Sequence, residues 1–286
     1  MKPLSAGLID NDSLHIRVLY AREGLIDSTW NDQGVCSTYW RYYVNYRDGA
    51  NVRLHDGTLY GLPSGYVHFV PPWVRIDLVS HREVEHLWAH FDIVGLPGSL
   101  IRELFSTPCS LPLDGALKAT ATLMRSALDH QHACDRPDAI FSVKAAIHCA
   151  LAQLFLQLPP ASLARMVGIM RFDAVIGPAL RSIETNLSRP MRVAELARLC
   201  NFAQDHFTRV FRREVGQTPG QYILERRVAV AAQKLVLSDA SIDLIAEECG
   251  FPDRFYFSRV FTKRMGVPPG SYRKANPPPF ARTTAP

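Results

Sequence analysis

Helical hydrophobic spacing is clearest near the end of the chain. Between Phe207 and Phe211, apolar residues are spaced i, i+3 and i+4, which places them on one face of a helix. The same spacing returns fifty residues later, between Phe257 and Phe261. Each helix belongs to a longer repeat, because residues 207–222 match residues 257–272 at eight of sixteen positions. We therefore expect two copies of one structural unit.

A shorter amphipathic stretch precedes each repeated helix. Residues 193–202 and 242–251 share a buried face and a small alanine, and each ends near a residue suited to a left-handed turn, Asn201 or Gly250. A short helix, a tight turn and a second helix make a helix-turn-helix, whose second helix can enter a major groove of DNA. The run from Tyr222 to Leu237 predicts one helix joining the copies, which would fix their separation near one turn of DNA, about 34 Å.

Charge supports a polyanionic partner for this part of the chain. The net charge of the protein is only +5, but residues 189–274 hold 15 lysines and arginines against 9 aspartates and glutamates. A basic block of this kind fits a nucleic acid and equally fits a solvated surface. A single helix-turn-helix would likewise fit an ordinary pair of packed helices, and the tandem arrangement favours DNA binding.

Strand-like patterning occupies the first third of the chain. Residues from about 29 to 92 alternate aromatic or β-branched runs with turn signals, which predicts an antiparallel β sandwich or barrel. The mouth of such a fold is a common place for a ligand. His86, Trp88 and His90 alternate, so in a strand all three face the same side. An ordinary half-exposed strand is the alternative.

Two helices are predicted after the strands, over residues 116–131 and 138–158. The second carries apolar residues at spacings of three and four, and this stripe must pack on something. Burial against the β domain and pairing with a second subunit both stay open. The stripe consists of Ile140, Val143, Ile147, Leu151, Leu154 and Leu158.

Length and composition set the broad class. The 286 residues suffice for roughly two domains. No stretch reaches about eighteen uninterrupted apolar residues, and the N-terminus lacks the pattern of a secretory signal, so we expect a cytoplasmic protein without a membrane span. The six cysteines are scattered without a C-x-x-C pair, which argues against structural zinc.

The repeat resembles the AraC/XylS family of bacterial transcription regulators. The resemblance covers roughly residues 172–274. The motifs that carry it stand in the family's order: Glu195-Leu-Ala, Phe207-Thr-Arg-Val-Phe, Gly216-Gln-Thr-Pro, Ile245-Ala, Cys249-Gly-Phe, Phe257-Ser-Arg-Val-Phe and Gly266-Val-Pro-Pro-Gly-Ser-Tyr-Arg.

The resemblance implies that the second helix of each unit contacts bases and phosphates. Arginine can bind guanine in bidentate fashion or pair with phosphate, and hydroxyls can serve either partner. An aspartate would accept from cytosine or simply cap its helix, and a phenylalanine offers only an apolar contact, so a structural role stays equally open for these two. The candidates are Asp205, Thr208, Arg209, Arg254, Phe255, Tyr256 and Arg259.

The β region is similar to the cupin-like sensing domain of the sugar-responsive branch of the family. The motifs are Tyr46-Arg-Asp-Gly, Leu62-Pro-Ser-Gly, Phe69-Val-Pro-Pro and His86-Leu-Trp-Ala-His-Phe. Comparison with the arabinose-responsive member implies that Arg47, His86 and Trp88 contact a sugar, and His90 lies on the same strand face. Other branches of the family sense other ligands.

Many cupins are metal enzymes, which keeps catalysis as a rival. Pro63-Ser-Gly-Tyr-Val-His68 fits the later part of their metal motif, but residues 52–56 offer only His55. Without a ligand triad we expect no metal, no cofactor and no catalytic residue.

Together these patterns predict an α+β multidomain protein. An N-terminal antiparallel β cupin-like barrel with two following helices spans 1–159, a linker spans 160–171, an all-α domain with two helix-turn-helix units spans 172–275, and a disordered tail spans 276–286.

We expect a ligand-responsive transcription regulator, not an enzyme, that binds double-stranded promoter DNA and an effector such as a sugar, forms a homodimer and contacts RNA polymerase. A metal-dependent cupin enzyme fused to a DNA-binding module and a constitutive regulator without effector are the alternatives. Activation and repression both stay open as its output.

Overall fold

A computed structural model gives the fold and describes residues 14–129, 136–171 and 173–275. The expected tail over 276–286 lies outside the described residues. Within these ranges the chain first forms two antiparallel sheets and then a series of helices. This order agrees with the α+β architecture expected from the sequence.

The N-terminal domain is built from two facing sheets. Its described strands are β1 (His15–Ile26), β2 (Asp32–Cys36), β3 (Trp40–Asn45), β4 (Ala50–Leu54), β5 (Leu59–Gly61), β6 (Tyr66–Val70), β7 (Arg75–Ser80), β8 (Val84–Val94) and β9 (Cys109–Pro112). The larger sheet has the order β1-β8-β3-β6-β9 and the smaller one β2-β7-β4-β5, with antiparallel neighbours throughout. The sheets pack face to face through a shared apolar cluster.

Two details of the β domain differ from the expectation. β1 begins at His15, well before the predicted start of the strand region near residue 29. The predicted barrel is not closed, since the described strands remain two separate hydrogen-bonded sheets. Closure depends on pairing between edge strands that are distant in sequence, and local patterning does not report such pairing.

The two faces of the larger sheet have different surroundings. On β3, Trp40 and Tyr42 belong to the cluster shared with the helices, whereas Tyr43 belongs to the cluster between the sheets. Because side chains alternate along a strand, Arg41 also faces the space between the sheets. This inner face therefore carries polar groups inside the domain.

Helices α1 (Gly98–Leu104), α2 (Gly115–Leu128) and α3 (Pro137–Leu156) follow the strands. The two predicted helices correspond to α2 and α3, and α1 was not predicted. Four residues of the apolar stripe on α3 are buried in the core beside the larger sheet, which supports burial for most of the stripe. They are Val143, Ile147, Leu151 and Leu154, whereas Ile140 is 41% exposed.

By length and composition alone, α3 is apolar enough to cross a membrane, with a mean hydropathy of 1.7 over its best window. The sequence criterion of uninterrupted apolar residues did not detect it. Its buried face packs in the core of the β domain, as the core helix of a soluble protein does.

The remaining described helices form the C-terminal domain and its connection. They are α4 (Pro160–Arg171), α5 (Asp173–Thr185), α6 (Val193–Leu199), α7 (Gln204–Val215), α8 (Pro219–Leu237), α9 (Ile242–Glu248), α10 (Arg254–Met265) and α11 (Pro269–Ala275). α4 occupies the expected linker, so this connection is helical. α8 is the continuous helix predicted between the two repeats.

Left-handed residues shape both turns of the repeat. Asn201 has φ 57° between α6 and α7, and Gly250 has φ 76° between α9 and α10. Gly216 and Gly266 both have φ 79° and end the second helix of each unit. Residues that tolerate positive φ were predicted at these turns from the repeat, and the structure confirms them.

The β domain packs directly against α8. Arg226 on α8 is 7% exposed and donates to Asp92 on β8 (2.9 Å) and to Glu184 on α5 (2.7 Å). Its neighbour Glu225 is 2% exposed and accepts from Arg102 on α1 at 2.9 Å. The helix that joins the two repeats is therefore held by buried ion pairs from the β domain.

Candidate nucleic-acid interface and small-molecule site

The first helix-turn-helix consists of α6 and α7. Phe207, Val210 and Phe211 are buried against α6 and α5, as the spacing predicted. Asp205 and Arg209 lie on the opposite, exposed face of α7. Thr208 is half-buried, and its hydroxyl donates to the carbonyl of Gln204 at 2.9 Å, so it can offer only acceptor capacity to a partner.

Asp205 does not cap its helix. The N-cap of α7 is Ala203, which makes no side-chain cap hydrogen bond, and Asp205 lies exposed in the first turn. The capping role that the sequence left open for Asp205 is therefore wrong. In the second unit Asp253 is the cap, and its carboxylate accepts from the backbone N–H groups of Phe255 and Tyr256 at 2.8 and 2.7 Å.

The second helix-turn-helix consists of α9 and α10. Arg254, Phe255, Tyr256 and Arg259 all lie on the outer surface of α10, and the Phe255 side chain is 73% exposed. The ring therefore contributes little to the packing of its own domain. The Arg259 guanidinium lies 6.0 Å from the centroid of the Tyr256 ring.

The arginines of the two second helices differ in their internal partners. Arg254 pairs with Asp243 at 3.2 Å across the surface, an exposed contact that contributes little to stability. Glu214, the next acidic residue after Arg209 on α7, pairs with Arg213. In the part of the chain that the structure describes, neither Arg209 nor Arg259 forms an ion pair, and both remain available for phosphate or base contacts.

Arg227 on α8 links the two units, and sequence analysis missed it. Its Nε donates to the carbonyl of Leu187 (2.9 Å) and its Nη2 to the carbonyl of Arg189 (2.7 Å), both in the segment that leads into the first unit. The same guanidinium lies beside Gly250 in the turn of the second unit. Since all its partners are backbone atoms of distant segments, no motif could have indicated this role.

Three of the four predicted ligand residues lie together between the sheets. The rings of His86 and Trp88 stack with centroids 5.2 Å apart, and His90 stacks on Tyr39 at 4.9 Å. Their shared direction follows from the alternation predicted for β8. Trp88 and His90 stay partly accessible to water although they point into the domain, so they line an internal cleft.

His86 is neutral and offers an acceptor to this cleft. Asn45 donates its Nδ2 to the carbonyl of Leu62 (2.6 Å), so its Oδ1 faces His86 and accepts from Nδ1–H at 2.6 Å. Burial lowers the pKa of His86 to about 3. Its Nε2 has no hydrogen-bond partner among the described residues and can accept from a ligand hydroxyl.

Arg47 lies apart from these three residues. Its side chain is 66% exposed and pairs with Glu85 at 3.2 Å. Glu85 precedes His86 on β8, so its side chain points to the other face of the sheet, where Arg125 of α2 also binds it at 3.1 Å. The structure therefore does not bring Arg47 together with His86, Trp88 and His90 on the inner face.

His68 is fully buried and makes a hydrogen bond with each ring nitrogen. Nδ1 lies 2.7 Å from Ser110 Oγ, and Nε2 lies 2.9 Å from the carbonyl of Pro63. Both nitrogens are occupied by protein groups, so His68 is a structural residue and not an available metal ligand.

The comparisons with known proteins agree with this geometry. A family model described as a helix-turn-helix domain matches residues 196–275. The chain is 35% identical over 105 residues to the multiple antibiotic resistance protein MarA of Escherichia coli K12, a match covering 36% of this chain and 83% of MarA. The chain belongs to the AraC/XylS family. The AraC/XylS proteins it matches are transcription regulators.

Two further relatives match over less than a third of this chain. The MmsAB operon regulatory protein of Pseudomonas aeruginosa is 35% identical over 89 residues, which is 31% of this chain and 29% of that protein. The chain thus spans under a third of this relative, and the same holds for the regulator Rv1931c of Mycobacterium tuberculosis.

Two solved structures are also similar. The DNA-binding domain of AdpA, solved in complex with a target DNA, is 29% identical with a TM-score of 0.35, covering 35% of this chain and 91% of that domain. ToxT of Vibrio cholerae is 13% identical with a TM-score of 0.48 over 92% of this chain and 99% of ToxT.

Proposed function

We propose that this protein is a cytoplasmic, ligand-responsive regulator that binds promoter DNA with both helix-turn-helix units. The observation that carries the proposal is the equivalence of α7 and α10. Each buries a phenylalanine-rich face and exposes an arginine at the same motif position, Arg209 or Arg259. Because α8 and Arg227 tie the units together, the second helices would enter successive major grooves on one face of the duplex.

The outward residues fit specific roles in such a complex. Arg209 and Arg259 are the candidates for bidentate guanine contacts, and Arg254 would exchange its exposed pair with Asp243 for a phosphate. Phe255 suits the methyl group of thymine, and Tyr256 offers a hydroxyl. Asp205 and Thr208 would accept hydrogen bonds from base amino groups. These assignments are proposals for each residue.

We propose that the cleft lined by His86, Trp88 and His90 captures the effector. β8 supports a route from this cleft to the DNA-binding units, because its inner-face residues are followed by Asp92, which pairs with Arg226 on α8. An effector that shifts β8 would strengthen or weaken the ion pair between Asp92 and Arg226. The position of α8, and with it of both helix-turn-helix units, would then depend on the bound effector.

We propose that the protein acts as a homodimer, and exposed apolar residues on α3 support this. Ile140 is 41%, Phe141 73% and Leu156 79% exposed, outside the part of the stripe that is buried. We also propose contact with RNA polymerase, which the resemblance to the AraC/XylS family suggests.

Replacing Arg209 or Arg259 by alanine is expected to weaken binding to a selected DNA site by about 1 to 3 kcal/mol for each lost bidentate base contact. Both side chains are exposed, so the melting temperature should stay unchanged. Fluorescence anisotropy with the full chain at several salt concentrations measures the effect. A phosphate contact would instead weaken binding to all sequences and reduce the salt slope by about 0.9.

Arg53→Ala serves as the matched control, because Arg53 is an exposed arginine on β4. If both helix variants bind like this control while their melting temperature falls, the arginines stabilise the domain and the proposed interface is wrong.

A further inference from the structure

One charged group on the inner face of the larger sheet has no counter-ion among the described residues. Arg41 is 5% exposed, and its Nη2 donates to Ser37 Oγ. Its guanidinium carbon lies 5.5 Å from the centroid of the Tyr39 ring, and its Nε has no hydrogen-bond partner in the described part of the chain. Within the described ranges, no carboxylate pairs with it, and the titratable groups that raise its pKa are the tyrosines Tyr43, Tyr39 and Tyr272.

An arginine keeps its charge even when it is buried, and tyrosines are neutral at neutral pH. A buried charge that lacks an opposite charge is strongly unfavourable. The neighbouring His90 is neutral, since burial lowers its pKa far below the ordinary value and Arg41 lowers it further, so it neither adds to the positive charge nor offsets it. Counting the described residues alone, the inner face therefore carries one net positive charge at this point.

Aromatic rings extend from Arg41 along the cleft. His90 stacks on Tyr39 at 4.9 Å, Tyr20 lies 6.4 Å from His90, and Trp88 lies 6.4 Å from Tyr20. A fixed charge beside partly accessible aromatic side chains suits a small molecule with one charged end and an apolar or ring-like body.

We propose that Arg41 binds the carboxylate of a small organic acid whose body lies against His90, Tyr20 and Trp88. The planar guanidinium can hold a carboxylate through two parallel hydrogen bonds. The proposal rests on the proposed function of effector capture and names the chemical class of the effector. A neutral sugar, as expected from the family, would leave the charge of Arg41 uncompensated.

The position of Arg41 joins this ligand to the DNA-binding units. Thr38, three residues before it, donates to the carbonyl of Ala229 on α8 at 3.1 Å. Tyr272 of α11 is one of the tyrosines that raise the pKa of Arg41. The charged end of the ligand thus lies where the two domains meet.

The first test compares Arg41→Met with Arg53→Met in the full chain without added ligand. If only a bound ligand compensates the charge of Arg41, the ligand-free Arg41→Met variant should melt at the wild-type temperature or above it. The exposed control should be unchanged. A fall of more than about 4 °C in the Arg41→Met variant alone overturns the proposal, because Arg41 then stabilises the domain through a partner within the chain.

The second test uses three acids and their neutral counterparts: gluconate and glucose, benzoate and benzamide, hexanoate and hexanamide. At least one acid at millimolar concentration should raise the melting temperature of the wild type, its neutral counterpart should not, and Arg41→Met should abolish the rise. No rise with any of the acids overturns the proposal.

The neutral compounds separate this proposal from effector capture itself. If glucose stabilises the wild type and Arg41→Met alike, effector capture stands and the carboxylate assignment fails.

Asp10 and Asp12 lie outside the described residues, and an Asp10→Asn, Asp12→Asn variant tests them as a source of the counter-ion. If the melting temperature falls by the same amount in that variant and in Arg41→Met, relative to the wild type, the proposal is contradicted.

Discussion

Replacing Arg226 by methionine is expected to lower the free energy of unfolding by about 3 to 5 kcal/mol. Arg226 is buried together with Asp92 and Glu184, which accept its hydrogen bonds at 2.9 and 2.7 Å. Methionine has a similar length but no charge. Among the described residues it leaves Asp92 without a counter-ion and leaves Glu184 with only the longer contact to Arg17 at 3.6 Å. An uncompensated buried charge is the costly outcome when one partner of an ion pair is removed.

Urea unfolding of the full chain at pH 7.5 measures this loss. Arg212→Met provides the control, because Arg212 is an exposed arginine on α7. Adding Asp92→Asn and Glu184→Gln to Arg226→Met should restore part of the stability, since the two carboxylates that lose Arg226 are then neutral as well. A loss below about 1 kcal/mol, the range of exposed pairs, would contradict the buried network at the domain junction.

Gly250→Ala is expected to destabilise the second helix-turn-helix by about 2 to 4 kcal/mol and to abolish specific DNA binding by that unit. Gly250 has φ 76°, a region that alanine enters only with strain. A Cβ at this position would also lie 2.4 Å from the carbonyl oxygen of Leu187 and 2.8 Å from Nη2 of Arg227. That oxygen accepts from Arg227 Nε, so it cannot move without breaking a further contact between the units.

Gly220→Ala is the matched control for this variant. Gly220 lies in the first turn of α8, and no atom lies within 4 Å of a Cβ placed there. Alanine should therefore stabilise this helix by up to about 1 kcal/mol. Thermal unfolding and DNA titration of both variants measure the difference. Equal stability and equal DNA affinity of the two variants would show that the turn tolerates a side chain and that the units are not held as described.

The C-terminal domain could be predicted in detail because its signals are local. Buried faces follow from helical spacing, and the left-handed turns at Asn201 and Gly250 follow from residue type. The repeat gave two independent observations of each feature. The contact of Arg227 with Leu187 and Arg189 had no such signal, since it joins a side chain to backbone carbonyls about forty residues away.

The ligand site could be predicted only in part. Alternation along β8 correctly grouped His86, Trp88 and His90, because side-chain direction within one strand is periodic. Arg47 was misplaced, since the family comparison gave no information on which face of the sheet it would occupy. Arg41 was not considered at all, because the absence of a counter-ion becomes visible only when the surrounding elements are assembled.

The most direct test of the central claim, that two joined helix-turn-helix units read one face of the duplex, is a hydroxyl-radical footprint. The full chain would first select its site from a random duplex library. The account predicts two protected segments about 10 base pairs apart on one face of the DNA, with Arg209→Ala weakening one segment and Arg259→Ala the other. A single protected segment, or two segments that respond identically to both variants, would contradict it.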